Sequence, residues 1–85
     1  MKHAGSTALD SIEPLLVQIR DLASLTERKR GVFYRKSSAF LHFHEDPAGI
    51  FADLRDSSGW QRLAVHSDSE RRALLARIRR LLAGQ

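Results

Sequence analysis

The chain has 85 residues, enough for one small domain with a single modest hydrophobic core and too few for two. Apolar residues make up 42% and charged residues 28%, values typical of a folded soluble domain and too apolar for a disordered one. There is no cysteine, which excludes disulfides, thiolate metal sites and cysteine nucleophiles. No apolar run approaches the roughly 18–20 residues that cross a bilayer, and the N-terminus lacks the apolar segment of a signal peptide. We therefore predict a cytoplasmic protein without membrane contact.

The net charge of +4 hides two strongly basic segments. Residues 28–36 and residues 71–85 each carry five basic and no acidic side chains, whereas the rest of the chain is acidic. Segregated positive charge is typical of proteins that attract nucleic-acid phosphates. It is equally typical of solvated helix ends, so charge alone does not decide between these interpretations.

The first predicted element is an amphipathic helix over residues 11–27, preceded by a loose N-terminus at residues 1–10. Apolar residues from Ile12 to Leu25 recur at helical spacing and form one stripe. Ser11 is a suitable N-cap, and Asp10 with Glu13 offers an alternative capping box one residue earlier. A glycine at position 31 is expected to end the segment.

Four short strands are predicted next, at residues 32–36, 39–45, 50–56 and 60–66. The apolar period changes there to two, and turn residues separate the runs: a Ser-Ser pair, an Asp-Pro-Ala-Gly turn and a Ser-Ser-Gly turn. Connections this short join antiparallel neighbours, so the four strands form a meander. The first strand has the weakest signal, because residues 27–30 could instead extend the helix.

The last predicted element is a second amphipathic helix. Ser67 and Glu70 form a capping box at its start, and Gly84 lies where a helix end is expected. Its apolar stripe consists of Leu74, Leu75, Ile78, Leu81 and Leu82. Residues 11–85 are therefore predicted as one α+β domain, a two-layer sandwich of order α-β-β-β-β-α with both helices on one face of an antiparallel sheet.

Strand alternation divides the predicted sheet into two faces. The face expected beneath the helices carries Val32, Tyr34, Leu41, Phe43, Ile50, Ala52, Leu54, Leu63 and Val65. The opposite face carries Phe33, Arg35, Phe40, His42, His44, Phe51, Asp53, Arg55, Trp60, Arg62 and His66. The second face is left uncovered, so we expect the functional residues there.

Even-length turns would pair residue 36 with 39, 45 with 50 and 56 with 59. One row across the uncovered face then contains Arg35, Phe40, Arg55 and Trp60, and the next contains Phe33, His42, Asp53 and Arg62. A bulge in either long strand would shift these rows.

The first row predicts an interaction surface, because it alternates arginine with exposed aromatic rings. Such a face can be buried by a partner protein or a second copy of the chain. It can also stack bases and attract phosphates, as sheet platforms do when they bind single-stranded nucleic acid. Alternatively, the arginines only cover Phe40 and Trp60 by cation–π contact. The leading hypothesis is a non-catalytic interaction module, and the alternative is nucleic-acid binding through this face or the basic segments.

The second row suggests a third hypothesis, an enzyme or metal protein. A carboxylate beside a histidine is the core of general-base chemistry, but Asp53 between His42 and Arg62 is also an ordinary cross-strand charge ladder. His42 and His44 on one side of a strand could ligate a metal together with Asp53 or His66. A His-x-His pair often arises by chance, and no serine is placed to act as a nucleophile. We therefore predict no catalytic residue, no metal and no cofactor.

Residues 39–55 read AFLHFHEDPAGIFADLR. This segment resembles short uncharacterised bacterial proteins built from a helix, hairpins and a closing helix, and the likeness covers most of the chain after residue 10. The chain is also loosely similar to the hairpin-plus-helix half of the YjbR-type fold, without the opening part of that fold. These resemblances imply a fold and carry over no activity or site residue.

Overall fold

The computed structural model describes residues 2–84, which form a six-stranded antiparallel sheet and three helices. In chain order the elements are β1 (Lys2–His3), α1 (Ser6–Ser11), α2 (Glu13–Arg20), β2 (Leu25–Lys29), β3 (Val32–Arg35), β4 (Ser38–Asp46), β5 (Gly49–Asp56), β6 (Gly59–Ala64) and α3 (Asp68–Ala83). The strands follow one another across the sheet in the order β2-β3-β4-β5-β6. The predicted α+β two-layer fold is confirmed.

The short strand β1 shares an edge of β4 with β3. It pairs with β4 at His44 and Glu45, and β3 pairs with β4 from His42 to Ser38. Directly after β1, the backbone N–H of Ala4 donates a hydrogen bond to the carbonyl of Phe43 on β4 at 3.0 Å. Two separate chain segments therefore meet side by side along one edge of β4.

One hydrophobic core lies between the helices and one face of the sheet. The helices contribute Leu9, Ile12, Leu15, Leu16, Ile19, Leu74, Leu75 and Ile78. The sheet side contributes Phe33, Phe40, Leu41, Phe43, Ala52, Leu54 and Val65. Because all three helices pack into this single cluster, the other face of the sheet is left without a helical layer.

The N-terminal third differs from the prediction. Instead of one helix over residues 11–27, α1 and α2 are separated at Ile12, and the chain then forms β2 on β3. Residues 2–10, predicted to be loose, contain β1 and most of α1, and Leu9 is 6% exposed. The helical spacing of the apolar residues also suits two short helices and a half-buried strand, so pairing with β3 overrides a weak local preference.

The predicted face of β3 is wrong. Phe33 is 1% exposed in the core, whereas Tyr34 lies under the guanidinium of Arg28 on the side away from the helices. Phe33 pairs with Leu41 and Tyr34 pairs with Ala39, so one extra residue of β4 forms a bulge between them. The bulge shifts the register by one residue, which exchanges the two faces of β3.

That extra residue is Phe40, which was also predicted on the uncovered face and is instead 5% exposed in the core. The predicted position of the β3–β4 turn is also wrong. Lys36 and Ser37 both have positive φ angles, 50° and 69°, the backbone of a tight two-residue hairpin turn. Residue 35 therefore pairs with 38, not 36 with 39.

The last helix matches its prediction. Ser67 caps α3 by accepting a hydrogen bond from the backbone of Glu70, and the Glu70 side chain accepts one from the backbone of Ser67. Its C-terminal cap is Gly84. Among residues 2–84, none of the helices has the length and apolar character to cross a bilayer.

Candidate functional site

The candidate site is the outer face, the side of the sheet that lies opposite the helices. It carries His3, Arg28, Tyr34, His42, His44, Phe51, Asp53, Arg55, Trp60 and Arg62. The predicted pairings of residue 45 with 50 and 56 with 59 are confirmed. As a result, His42, Asp53 and Arg62 lie side by side, and Arg55 lies opposite Trp60.

Asp53 is the centre of a polar network on the outer face. Arg62 donates to both of its oxygens, from Nε at 2.8 Å and from Nη2 at 3.0 Å. The Nε2 atom of His44 lies 3.0 Å from Oδ2. The two hydrogen bonds from Arg62 hold the pKa of Asp53 below its usual value, against burial, which raises it.

The histidine that contacts Asp53 is His44, whereas the predicted second row placed His42 beside Asp53. His42 is the register partner of Asp53, but the ring of His44 makes the contact. Both histidines occupy the same side of β4, and a side chain can reach a diagonal neighbour on the next strand as well as the direct one. Of the predicted second row, three members adjoin one another as expected, and Phe33 is in the core.

Three imidazole rings cluster beside this network. The ring centroids of His3 and His44 are 4.9 Å apart and stacked, those of His3 and His42 are 5.8 Å apart, and those of His42 and His44 are 6.1 Å apart. The indole of Trp60 lies 5.1 Å from His42. Sequence reasoning missed His3, because a strand of two residues leaves no periodic signal.

Two nitrogens of this histidine cluster are buried without a hydrogen-bond partner: Nε2 of His42 and Nδ1 of His44. Burial lowers the pKa of His42, and the neighbouring imidazoles of His3 and His44 lower it further, against a smaller opposing effect of Asp53. At neutral pH His42 is therefore uncharged.

We expect the free energy of unfolding to decrease as the pH falls from about 7 towards 5, because His42 accepts a proton more readily in the unfolded chain than in the folded one. This loss begins near the ordinary histidine pKa and levels off below the depressed folded value. Urea midpoints measured across this range would show it, and His42→Gln should flatten the slope. An identical slope in the variant would contradict the assignment. Asp53 acts separately, since its lowered pKa costs stability only at more acidic pH.

The chemistry of the network is that of a charge ladder. The hydrogen bonds of Asp53 go to Arg62, and its second contact goes to His44. Within residues 2–84, no three histidine, aspartate or glutamate side chains are arranged to hold a metal ion. The arrangement fixes the orientation of His44 and neutralises Asp53.

Arginines lie over two aromatic rings of the outer face. The guanidinium carbon of Arg28 is 4.6 Å from the ring centroid of Tyr34, and that of Arg55 is 5.7 Å from the ring of Trp60. Arg55 also donates from Nη1 to the carbonyl of Ala39 at 3.0 Å. Trp60 nevertheless remains 46% exposed, an unusual value for a tryptophan in a folded domain.

Only half of the predicted first row exists on the outer face. The pair of Arg55 and Trp60 is confirmed. The guanidinium of Arg35 lies 5.8 Å from the ring of Phe40, which is in the core near the end of the sheet. Tyr34 replaces Phe40 as the second aromatic ring of the outer face, and it was predicted on the other side because alternation does not reveal a bulge.

The outer face keeps an excess of positive charge. Its carboxylates, Asp46 and Asp53, both act on Arg62 and raise the pKa of that guanidinium. Arg28 and Arg55 form no ion pair within the described part of the chain. This side of the sheet therefore carries three guanidinium groups, those of Arg28, Arg55 and Arg62, against two carboxylates.

No protein-family model matches the chain, and searches of curated proteins and of solved structures also find no match. The function is therefore argued from the geometry of the outer face.

Proposed function

We propose that the protein is a non-catalytic interaction module that binds an acidic segment of a partner protein on the outer face. The observation that carries this proposal is Trp60, which is half-exposed beside Arg55 on a sheet face that no helix covers. Tryptophan and arginine are the residues that most often dominate the binding energy of protein interfaces. The cysteine-free sequence supports the cytoplasm as the place of binding.

Charge supports an acidic partner over a second copy of this chain. The outer face carries the guanidinium groups of Arg28, Arg55 and Arg62 against two carboxylates, and one of these, Asp53, is already paired with Arg62. Two-fold self-association through this face would place basic side chains against basic side chains. A segment rich in aspartate or glutamate would instead pair with them.

The aromatic content favours a protein over single-stranded nucleic acid. Base-stacking platforms need several exposed rings in succession. Two of the aromatic rings predicted on the uncovered face, Phe33 and Phe40, lie in the core, and among the phenylalanine, tyrosine and tryptophan side chains of residues 2–84 only Trp60 is exposed. One indole flanked by an arginine is sufficient as an anchor in a protein interface.

The test compares a short peptide that alternates glutamate and leucine with oligouridine and with oligothymidine of similar length. We expect the peptide to shift the Trp60 fluorescence. In calorimetric titrations with the same peptide, we expect Arg55→Glu and Trp60→Ala each to weaken binding by about tenfold or more. Arg79→Glu is the matched control, since Arg79 is exposed on α3, away from the outer face, and should leave the affinity unchanged.

Three outcomes would overturn this assignment. Binding of the oligonucleotides without binding of the peptide would assign the face to nucleic acid. Equal losses for Arg79→Glu and Arg55→Glu would show non-specific attraction to a basic protein. A dimer in sedimentation that Trp60→Ala dissociates would assign the face to self-association.

A further inference from the structure

A cleft of about 530 Å³ opens where β1 and β3 meet along the edge of β4. We name it the junction cleft, and its polar lining residues are His3, Ser6, Lys29, Arg30, Tyr34 and His42. Its origin is topological: β1 turns away at Ala4 to enter α1, and β3 resumes the pairing with β4 only at Val32. The volume is in the range of small-molecule sites in proteins.

The polar lining of the junction cleft is basic. None of its lining residues is an aspartate or glutamate. Lys29 is exposed and forms no ion pair among residues 2–84. Arg30 is bonded to Asp10 and Glu13, but both contacts use its Nη2 atom, at 2.9 and 2.8 Å. These two carboxylates balance its charge, so the cation of the cleft without a counter-ion among residues 2–84 is Lys29, while the other guanidinium donors of Arg30 are not used by these pairs.

The remaining walls of the junction cleft are apolar. Leu9 and Phe43 are core residues, and Val32, at the start of β3, lines the cleft and pairs with His42 on β4. Positive groups set beside apolar walls match a ligand with a negative group on an apolar body. A free inorganic ion would leave the apolar walls unused.

We propose that the junction cleft binds a small organic anion, one in which a carboxylate or a phosphate is attached to an apolar body such as an aromatic ring. The anionic group lies towards Lys29 and Arg30, and the apolar body packs against Leu9, Val32 and Phe43. This site shares His3, Tyr34 and His42 with the outer face, but Arg55 and Trp60, which carry the partner-binding role, do not line it.

His42 couples this site to pH. The charged and titratable groups around it are His3 on β1, His44 on its own strand and Asp53 on β5, while Lys29, Arg30 and Tyr34 line the same cleft. With the cleft empty, His42 is uncharged at neutral pH, as described above. A bound anion favours the protonated ring, so binding takes up a proton and the affinity increases as the pH falls.

The experiment is a titration of the protein with benzoate, phenyl phosphate, inorganic phosphate and the uncharged analogue benzamide, followed by amide and histidine resonances. We expect benzoate and phenyl phosphate to shift the resonances of Gly31, Val32 and His42. Phenyl phosphate should bind about tenfold more tightly than inorganic phosphate, because it adds the apolar contact. Benzamide should bind at least about tenfold more weakly than benzoate.

Variants locate the site and separate it from the outer face. Lys29→Ala should weaken benzoate binding by about fivefold or more, whereas Arg55→Glu, the variant that removes peptide binding, should leave it unchanged. Between about pH 8 and pH 6 the affinity for benzoate, which stays ionised, should increase, and His42→Gln should abolish that increase. Lys29→Ala should leave peptide binding to the outer face unchanged. The two variants therefore test the peptide site and the anion site separately, and either proposal can be refuted without the other.

Several results would overturn the junction cleft as an anion site. One is the absence of shifts at Gly31, Val32 and His42 with benzoate and phenyl phosphate at millimolar concentration. A second is equal affinity for benzamide and benzoate, which would show that charge is not recognised. A third is unchanged benzoate binding in Lys29→Ala, which would place the anion on another basic surface.

Discussion

Phe33→Ala is expected to lower the free energy of unfolding by about 3–5 kcal/mol, the range measured when large aromatic side chains are removed from protein cores. The ring of Phe33 is 1% exposed and belongs to the core cluster that joins the sheet to the helices. Its removal leaves a cavity beneath Leu41, its partner on β4, which the backbone of a central strand cannot close. Urea unfolding followed by the fluorescence of Trp60 would measure the loss.

Tyr34→Ala is the matched control, because it removes an aromatic ring from the neighbouring position on the other face. The ring of Tyr34 is partly exposed and contacts the guanidinium of Arg28, so its loss should cost only about 1 kcal/mol. If Tyr34→Ala destabilised the protein more than Phe33→Ala, the simple alternation of β3 would be correct and the bulge at Phe40 would not exist.

The sequence predicted the sheet register where the turns contain glycine. The turns that end at Gly49 and Gly59 have positive φ angles of 136° and 107° at these residues, and the registers of β4–β5 and β5–β6 were predicted correctly. In the β3–β4 turn, Lys36 and Ser37 have positive φ angles. Neither is a glycine or an asparagine, the residues that usually indicate such a turn in a sequence. The misplaced turn moves the pairing of β3 by two residues and keeps its faces, so the bulge at Phe40 alone reverses the face of this four-residue strand.

The N-terminal third was less predictable, because long-range pairing decides its structure. Residues 25–29 contain one apolar residue, Leu25, and so have no periodicity of their own; they become β2 because β3 offers an unpaired edge. β1 has only two residues, so no period exists in it to detect. For this reason His3 was assigned to the loose N-terminus and left out of the predicted site, although it stacks on His44.

For the candidate site, the sequence predicted which residues share a face of the sheet, but not which side chains contact one another. Alternation correctly placed His42, Asp53 and Arg62 on adjacent strands of the uncovered face. It could not select His44 over His42 as the histidine in contact with Asp53, since that choice depends on side-chain rotamers. The histidine cluster, with its two unpartnered nitrogens, includes His3 of β1. The junction cleft is also lined by His3. Neither feature was predicted, because β1 is too short to show a periodic pattern in the sequence.

Gly31→Ala is expected to lower the free energy of unfolding by about 2–3 kcal/mol. About 1–2 kcal/mol comes from the left-handed backbone, since Gly31 has a φ of 78° that residues with a Cβ adopt at a cost. A further ~1 kcal/mol comes from overpacking, because the new Cβ would lie 2.7 Å from Cδ2 of the buried Leu9. The backbone is held in place by Glu27, which accepts a hydrogen bond from the Gly31 N–H at 3.0 Å.

A double-mutant cycle with Leu9→Ala separates the two contributions of Gly31→Ala. Leu9→Ala alone should cost about 2–5 kcal/mol as a core truncation, but it removes the side chain with which the new Cβ collides. The double variant should therefore be about 1 kcal/mol more stable than the sum of the single losses implies, as measured by urea unfolding. Strict additivity would mean that α1 does not press against the β2–β3 turn. The junction cleft between them would then lack the apolar wall that its proposed ligand requires.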